Sequence, residues 1–244
     1  MVNFLNVNLS YNDKDIVLEN LNFSFSSGSI IGFIGKSGCG KTTLLKSCFN
    51  TNLIHSGQIT INDVELNRKS SKKDLKKYKK SIVFLDQENL ILEEYDFYHN
   101  FLWKFNNYKN IFYKFFRLLS AENKENLEKW LDIFEIKELL FTPMQNLSSG
   151  QKQRFNLLFA FLNNSQLILA DEPTSNLDVY YSDLALKELS KLVKEKQKTF
   201  LMSIHDLDLA IKYCDYLVAI KNGQIQKIYS KDNFEINEII NYFD

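Results

Sequence analysis

The stretch from Ser29 to Phe49, SIIGFIGKSGCGKTTLLKSCF, constrains this chain more than any other. Ile30, Ile31, Phe33 and Ile34 form an apolar, mostly β-branched run of the kind that makes a buried strand. The run ends in Gly35-Lys36-Ser37-Gly38-Cys39-Gly40-Lys41-Thr42, which meets G-x-x-x-x-G-K-[ST] at every fixed position. A helical pattern follows at once, with Leu44, Leu45, Cys48 and Phe49 on one side. Strand, glycine loop and helix in that order make a phosphate-binding loop of what would otherwise be a text match.

The residue types follow from the charge to be held. Gly35, Gly38 and Gly40 let the backbone curl until successive N–H groups face one concavity, and the positive end of the following helix adds to the field. Lys41 is a mobile cation for the β- and γ-phosphates, and the Thr42 hydroxyl is a ligand for Mg²⁺. A glycine turn that merely joins strand to helix is the plainer reading, and the strand–loop–helix context disfavours it.

The chain has 244 residues, enough for one larger α/β domain with a subdomain. Hydrophobic residues make up 45% and charged residues 25%, and thirty basic residues balance thirty acidic ones. No global charge draws it to nucleic acid or to a membrane surface. Apolar runs fall short of the ~18 residues a spanning helix needs, and the N-terminus lacks a signal-peptide pattern. The expectation is a protein that stays in the cytoplasm. Cys39, Cys48 and Cys214 match no disulfide framework or zinc site. Cys39 reads as a small filler in a variable loop position, or as a thiol made reactive by the helix N-terminus.

Val2–Leu9 and Leu18–Phe25 read as strands. Between them stands Tyr11, either a surface residue or an aromatic placed to stack on a nucleotide base. A short strand is expected at Gln58–Ile61 and another at Ser81–Leu85. The basic run Arg68–Lys80 reads as a solvated, partly helical face rather than a patch for anionic lipid. From Glu93 to Asn146 glycine is absent and aromatics crowd Tyr95–Phe116, while Leu127, Trp130, Leu131 and Phe134 take helical spacing. This is read as an inserted helical subdomain whose aromatics are core, or core plus an exposed patch for a partner. Strands resume at Leu167–Ala170, Thr199–Ile204, Leu217–Ile220 and Gln224–Tyr229, with a short helix at Asn233–Asp244.

Two further stretches bear on the loop. Leu167–Ala170 is an apolar strand that ends in Asp171-Glu172, and acids in such a place need a metal or hydrogen bonds to offset desolvation. Asp171 suits a Mg²⁺ site and Glu172 suits the activation of water; Pro173 argues against a simple helix cap. Leu147-Ser148-Ser149-Gly150-Gln151 precedes the helical pattern Lys152–Leu162. Its serines could cap that helix or open an anion site.

Taken together, these residues resemble the ATP-binding-cassette (ABC) ATPases, over about Val2 to Tyr229. The resemblance implies an α/β fold: a P-loop NTPase (RecA-like) core, an antiparallel β subdomain, and a helical subdomain inserted at about 88–163 of a single 1–244 domain. Walker A is Gly35–Thr42, with Lys36, Ser37, Cys39 and Thr43 beside ATP. Walker B is Leu167–Asp171, followed by the catalytic glutamate Glu172, and His205 matches the switch histidine. Ser175–Asp178 matches the D-loop, and Tyr11 the adenine-stacking aromatic. Ser148, Ser149, Gly150 and Gln151 match a signature normally written LSGGQ, so Ser149 stands where the family has glycine. The Q-loop glutamine, a Mg²⁺ and coupling residue, aligns as Gln87 by the strand before it and as Asp86 by the residues after it; Gln87 is favoured.

The family pattern further implies ATP and Mg²⁺ as cofactors and two cassettes meeting head to tail, as a homodimer. Ser148 and Gly150 would reach the γ-phosphate held by the other subunit, and Asp178 would report across the interface. A separate membrane permease, an extracellular substrate-binding protein and a place on the cytoplasmic face of the membrane follow, with no nucleic acid. Spacing around Asn100, the run Tyr113–Arg117 and Ser120-Ala121-Glu122 resemble phosphonate-importer ATPases. An exporter ATPase, a soluble mechanoenzyme and a binding-only cassette are the alternatives.

Overall fold

Runs with nearly every residue buried require cover on both faces, which a central parallel sheet provides. Ile30–Ile34 and Thr199–Ser203 are buried throughout, and Leu167–Asp171 is buried except at its last residue. The computed structural model describes residues 1–12, 14–86, 92–105 and 108–243, the side chains of 72–74 and 77 excepted. In chain order the elements are β1 (Val2–Ser10), β2 (Ile16–Phe25), β3 (Ile30–Ile34), α1 (Lys41–Ser47), β4 (Ile54–Ile61), β5 (Val64–Leu66), α2 (Lys72–Lys79) and β6 (Ile82–Leu85). Helices α3 (Phe97–Lys104), α4 (Ile111–Phe115), α5 (Ala121–Ile133) and α6 (Ser149–Leu162) come next. The chain closes with β7 (Leu167–Asp171), α7 (Val179–Lys196), β8 (Thr199–Ser203), α8 (Leu207–Tyr213), β9 (Tyr216–Lys221), β10 (Gln224–Ser230) and α9 (Ile236–Ile239).

Two sheets result. One is antiparallel with order β2-β1-β4-β5; the other has order β10-β9-β3-β8-β7-β6, and its members from β9 to β6 run parallel. Side chains of a strand alternate between faces, and the two hydrophobic cores divide accordingly. Ile31, Phe33, Leu169 and Leu201 face the antiparallel sheet and α1. Ile30, Ile34, Ile168, Ala170, Phe200 and Met202 face the core shared with the helices. The order places β8 between β3 and β7, so the three C-terminal ends that carry the motifs emerge side by side.

Between β6 and β7 the described chain is helical. Phe97, Phe101 and Phe105 of the α3 stretch are buried, with Phe97 stacked on Phe155 of α6 at 4.6 Å. Asn100 is buried too, and its amide bonds Leu92 on both backbone groups, which ties down the chain entering α3. Helix α4 differs: none of its residues is buried, and Ile111 and Phe115 are 86% and 80% exposed. The dense aromatics therefore split into a core set and a surface set.

Two expectations need correction, the start of one strand and the extent of the C-terminal helix. The strand expected at Gln58–Ile61 begins at Ile54, because Gly57 at φ +82° lets the Asn6 carbonyl of β1 approach to 2.2 Å of where a Cβ would stand. β5 is too short to show a period. The C-terminal helix is only α9 between 3₁₀ turns, since Ile236, Ile239, Ile240 and the asparagines around them are poor helix formers and no side chain caps it. The basic run is helical over α2 and anchored through buried Tyr78, whose hydroxyl donates to the Cys48 carbonyl at 2.7 Å.

Lys198, just before β8, is buried, and desolvation followed by the neighbouring Lys196 charge lowers its ammonium from 10.5 to about 8. Below pH 8 it is protonated in both folded and unfolded chains. Between pH 8 and 10.5 only the unfolded chain keeps the proton, so this group adds stability as pH rises through that window. Lys198→Met is expected to remove that rise and to stabilise the protein at pH 7 by on the order of 1–3 kcal/mol, read from urea melts across pH.

Candidate active site

The phosphate-binding loop leaves β3 at Gly35, whose φ of +152° and whose closeness to the Ile220 carbonyl, 2.3 Å from a would-be Cβ, exclude any side chain. Lys41 opens α1 and folds back over the loop, its Nζ donating to the carbonyls of Gly35 at 2.5 Å and Lys36 at 3.2 Å. A cation is thereby held within a loop whose N–H groups, with those of the first turn of α1, have no helical acceptor. Cys39 is half-buried with its Sγ 4.0 Å from Lys41 Nζ.

Opposite stands the end of β7. Thr42 Oγ1 donates to Asp171 Oδ2 at 2.6 Å, and Ser203 Oγ of β8 donates to Asp171 Oδ1 at 2.6 Å. Ser203 in turn accepts the N–H of Glu172 at 2.8 Å. Glu172 sits at φ +50°, a left-handed conformation that costs a non-glycine residue roughly 1–2 kcal/mol. The turn after it is fixed in compensation. The Glu172 carbonyl accepts from the Ser175 N–H and hydroxyl, and buried Gln153 donates to the Pro173 carbonyl at 2.6 Å. The Glu172 carboxylate lies 2.9 Å from His205 Nε2.

A cleft of about 270 Å³ joins these parts, lined by Tyr11, Ser37, Gly38, Lys41, Thr42, Thr43, Glu172 and His205 among others. Tyr11 guards its rim, sharing a 3.0 Å hydrogen bond with Thr43 Oγ1. A larger cleft of about 950 Å³ opens between α7 and α8 and shares Glu172 and His205 with the first.

Not every expected residue gathers there. Ser148–Gln151 are absent from the described lining of the 270 Å³ cleft and instead begin α6. Ser148 is the N-cap: its Oγ accepts from the Gln151 N–H and Gln151 Oε1 accepts from the Ser148 N–H, a capping box. Ser149 opens the helix without a positive φ, so a serine fits where a glycine is usual. Gly150 is different, because a Cβ there would stand 2.9 Å from the Asn176 carbonyl. Asp178 caps α7 through the Tyr181 N–H at 2.9 Å. Gln87 lies outside the described residues. Asp86 ends beside Lys46 at 4.0 Å, and its carbonyl accepts from Asn156 of α6.

Sequence reasoning missed Ser203, Gln153 and Asn156. All three are buried, but Gln153 stands between Lys152 and Arg154 and the partners of each are distant in sequence, so no local signal marked them.

A model of the ABC transporter family matches residues 18–175. A probable ABC transporter ATP-binding protein, p29 of Mycoplasma pneumoniae, is 37% identical over 90% of this chain and 88% of its own. The phosphonates import ATP-binding protein PhnC of Fusobacterium nucleatum is 33% identical over 94% and 91%. The ATP-binding cassette MJ0796, solved as a dimer in a post-hydrolysis state with ADP and phosphate, has a TM-score of 0.81 at 25% identity, over 96% of this chain and all of the other. The fold and the phosphate loop thus define a P-loop ATPase, and the chain belongs to the ABC transporter family. It is an ATP-binding subunit that hydrolyses ATP.

The signature geometry yields a prediction. Ser149→Gly should leave ATPase turnover within about twofold, since the backbone there is ordinary helix and the propensity difference is below about 1 kcal/mol. Gly150→Ala should lower turnover at least tenfold, because its neighbour is a backbone carbonyl that cannot step aside. A reversed ranking in steady-state phosphate release would contradict this reading.

Proposed function

We propose that the chain works as one of a pair of identical subunits that use ATP to energise solute import through a separate permease. The observation that carries the catalytic reading is the unbroken contact series Thr42–Asp171–Ser203–Glu172–His205 beside the Lys41 loop. In this reading the loop from Gly35 to Thr43, with Lys36, Ser37, Gly38, Cys39 and Gly40, wraps the triphosphate, and Tyr11 stacks on the base. Glu172 polarises the attacking water, while His205 holds the same water and the γ-phosphate.

Thr42 and Asp171 supply hard oxygens 2.6 Å apart, a donor set that fits Mg²⁺. Among the described residues no cluster of three or more His, Cys, Asp or Glu exists, which also suits an ion that keeps waters and phosphate oxygens as ligands. Mg²⁺ would neutralise charge on the β- and γ-phosphates; Gln87 is proposed as a further ligand. Because Ser148, Ser149, Gly150 and Gln151 are not among the described residues that line the cleft of their own subunit, a head-to-tail partner is the natural source of a second anion contact. Asp178 then lies near the same boundary.

Residues 88–163 are proposed as the helical subdomain that meets the permease. Exposed Trp103, Ile111, Phe112, Phe115 and Phe116 support an interface of few aromatic anchors. No helix among the described residues is long and apolar enough to cross a membrane, and the proposal assigns the pathway to a separate permease. That would hold the protein at the cytoplasmic face of the membrane. The names of the PhnC relatives support an importer of phosphonates or similar phosphorylated solutes, served by an extracellular binding protein.

Glu172→Gln should retain ATP affinity, lose at least about 100-fold in turnover and accumulate an ATP-bound dimer on gel filtration, whereas Lys41→Ala should lose nucleotide binding itself. Normal hydrolysis by Glu172→Gln would remove Glu172 from the reaction. Separately, the protein extracted in mild detergent should co-purify with a polytopic permease, and Phe115→Ser should weaken that association without affecting ATP binding. Recovery of soluble partners alone would sink the transporter role, and a permease lacking a binding protein would indicate export.

A further inference from the structure

Ser203 is wholly buried at the end of the strand between the phosphate-loop strand and the acidic strand. Its register pairs it with Phe33 on one side and Asp171 on the other. A serine hydroxyl has one proton to give and lone pairs to receive. Here the proton goes to Asp171 Oδ1 at 2.6 Å, and the N–H of Glu172 is received at 2.8 Å. The remaining Asp171 oxygen faces Thr42.

We infer that Ser203 is a positioning residue that turns the Asp171 carboxylate toward the metal beside Thr42 and pins the left-handed backbone of Glu172, so that one hydroxyl aligns both acids. The inference rests on the reading of Asp171 as the metal carboxylate and of Glu172 as the water-polarising group. The chemistry is specific. With Oδ1 engaged, Oδ2 is the oxygen left for Thr42 and the ion. With its N–H engaged, Glu172 has a donor–acceptor tie that opposes relaxation out of φ +50°. Removing the hydroxyl frees the carboxylate to rotate and leaves the Glu172 N–H without this acceptor. Outer partners of metal ligands commonly alter metal affinity by about 10- to 100-fold.

The test compares Ser203→Ala and Ser203→Thr with the unmodified chain and with Thr42→Ala. Binding of a fluorescent ATP analogue is measured in EDTA and across a Mg²⁺ titration, with ATPase activity and thermal unfolding alongside. Ser203→Ala should bind the analogue in EDTA within about twofold of the unmodified protein. It should need about tenfold more Mg²⁺ for half-maximal binding and for half-maximal turnover, with kcat reduced and the KM for ATP at saturating Mg²⁺ little changed. Ser203→Thr keeps the hydroxyl and should recover to within about threefold; if its extra methyl is not tolerated, Ser203→Cys should fall between alanine and serine. An unchanged Mg²⁺ requirement in a folded Ser203→Ala protein would overturn the inference. So would equal losses with and without Mg²⁺, which a packing defect would produce. An unchanged Mg²⁺ requirement in Thr42→Ala would instead remove the metal-site reading beneath it.

Discussion

Asp171 terminates a strand whose other four residues are buried and apolar, and the structure is arranged so that this carboxylate never lacks partners. A carboxylate withdrawn from water without compensation costs several kcal/mol. Two hydroxyls, each at 2.6 Å, occupy its two oxygens, one from the phosphate loop and one from β8. That demand explains the strand order. Only with β8 between β3 and β7 can a residue of the middle strand touch the acid while the loop of the outer strand reaches it from the other side. The C-terminal ends of parallel strands are where such crevices form.

The same economy governs the helical segment. Its aromatics divide by position rather than by type: Phe97, Phe101 and Phe105 follow helical spacing into the core, whereas α4 has no buried residue at all. Trp103 stands on the surface with the Arg117 guanidinium 4.9 Å from its ring, and Phe112 packs on Phe116 at 4.7 Å. An aromatic cluster that packs on itself instead of on the core gains little for folding. Its exposure is what the proposed permease interface rests on.

Much of this was legible in the sequence because its signals were local. The loop from Gly35 to Thr42, the apolar strand before Asp171 and the apolar β3 each declare themselves within ten residues, and the structure builds them as expected. What was not legible is non-local. Ser203 reads as a neutral residue between Met202 and Ile204, and it gains meaning only through a parallel register with residues 32 positions away. Gly57 likewise gave no hint of lengthening β4, since the reason is the approach of a carbonyl from β1. The tolerance of Ser149 also needed backbone angles, because sequence reports a departure from a pattern and not the conformation that the pattern serves.

Helix α6 shows how the capped signature segment and the chemical site are joined within one subunit. Gln153 and Asn156 lie three residues apart and so share a helix face. The first holds the Pro173 carbonyl in the turn after Glu172, and the second holds the Asp86 carbonyl at the end of β6. Both amides act on backbone groups of loops that begin at adjacent strands, β7 and β6. A rotation of α6 about its axis would have to stretch or break both bonds together, and either loss strands a buried polar group at a cost of about 1–3 kcal/mol. The helix that opens with Ser148, Ser149 and Gly150 is therefore mechanically coupled to the backbone carrying Glu172. A displacement of its N-terminus would be transmitted through Gln153 to the turn that follows Glu172.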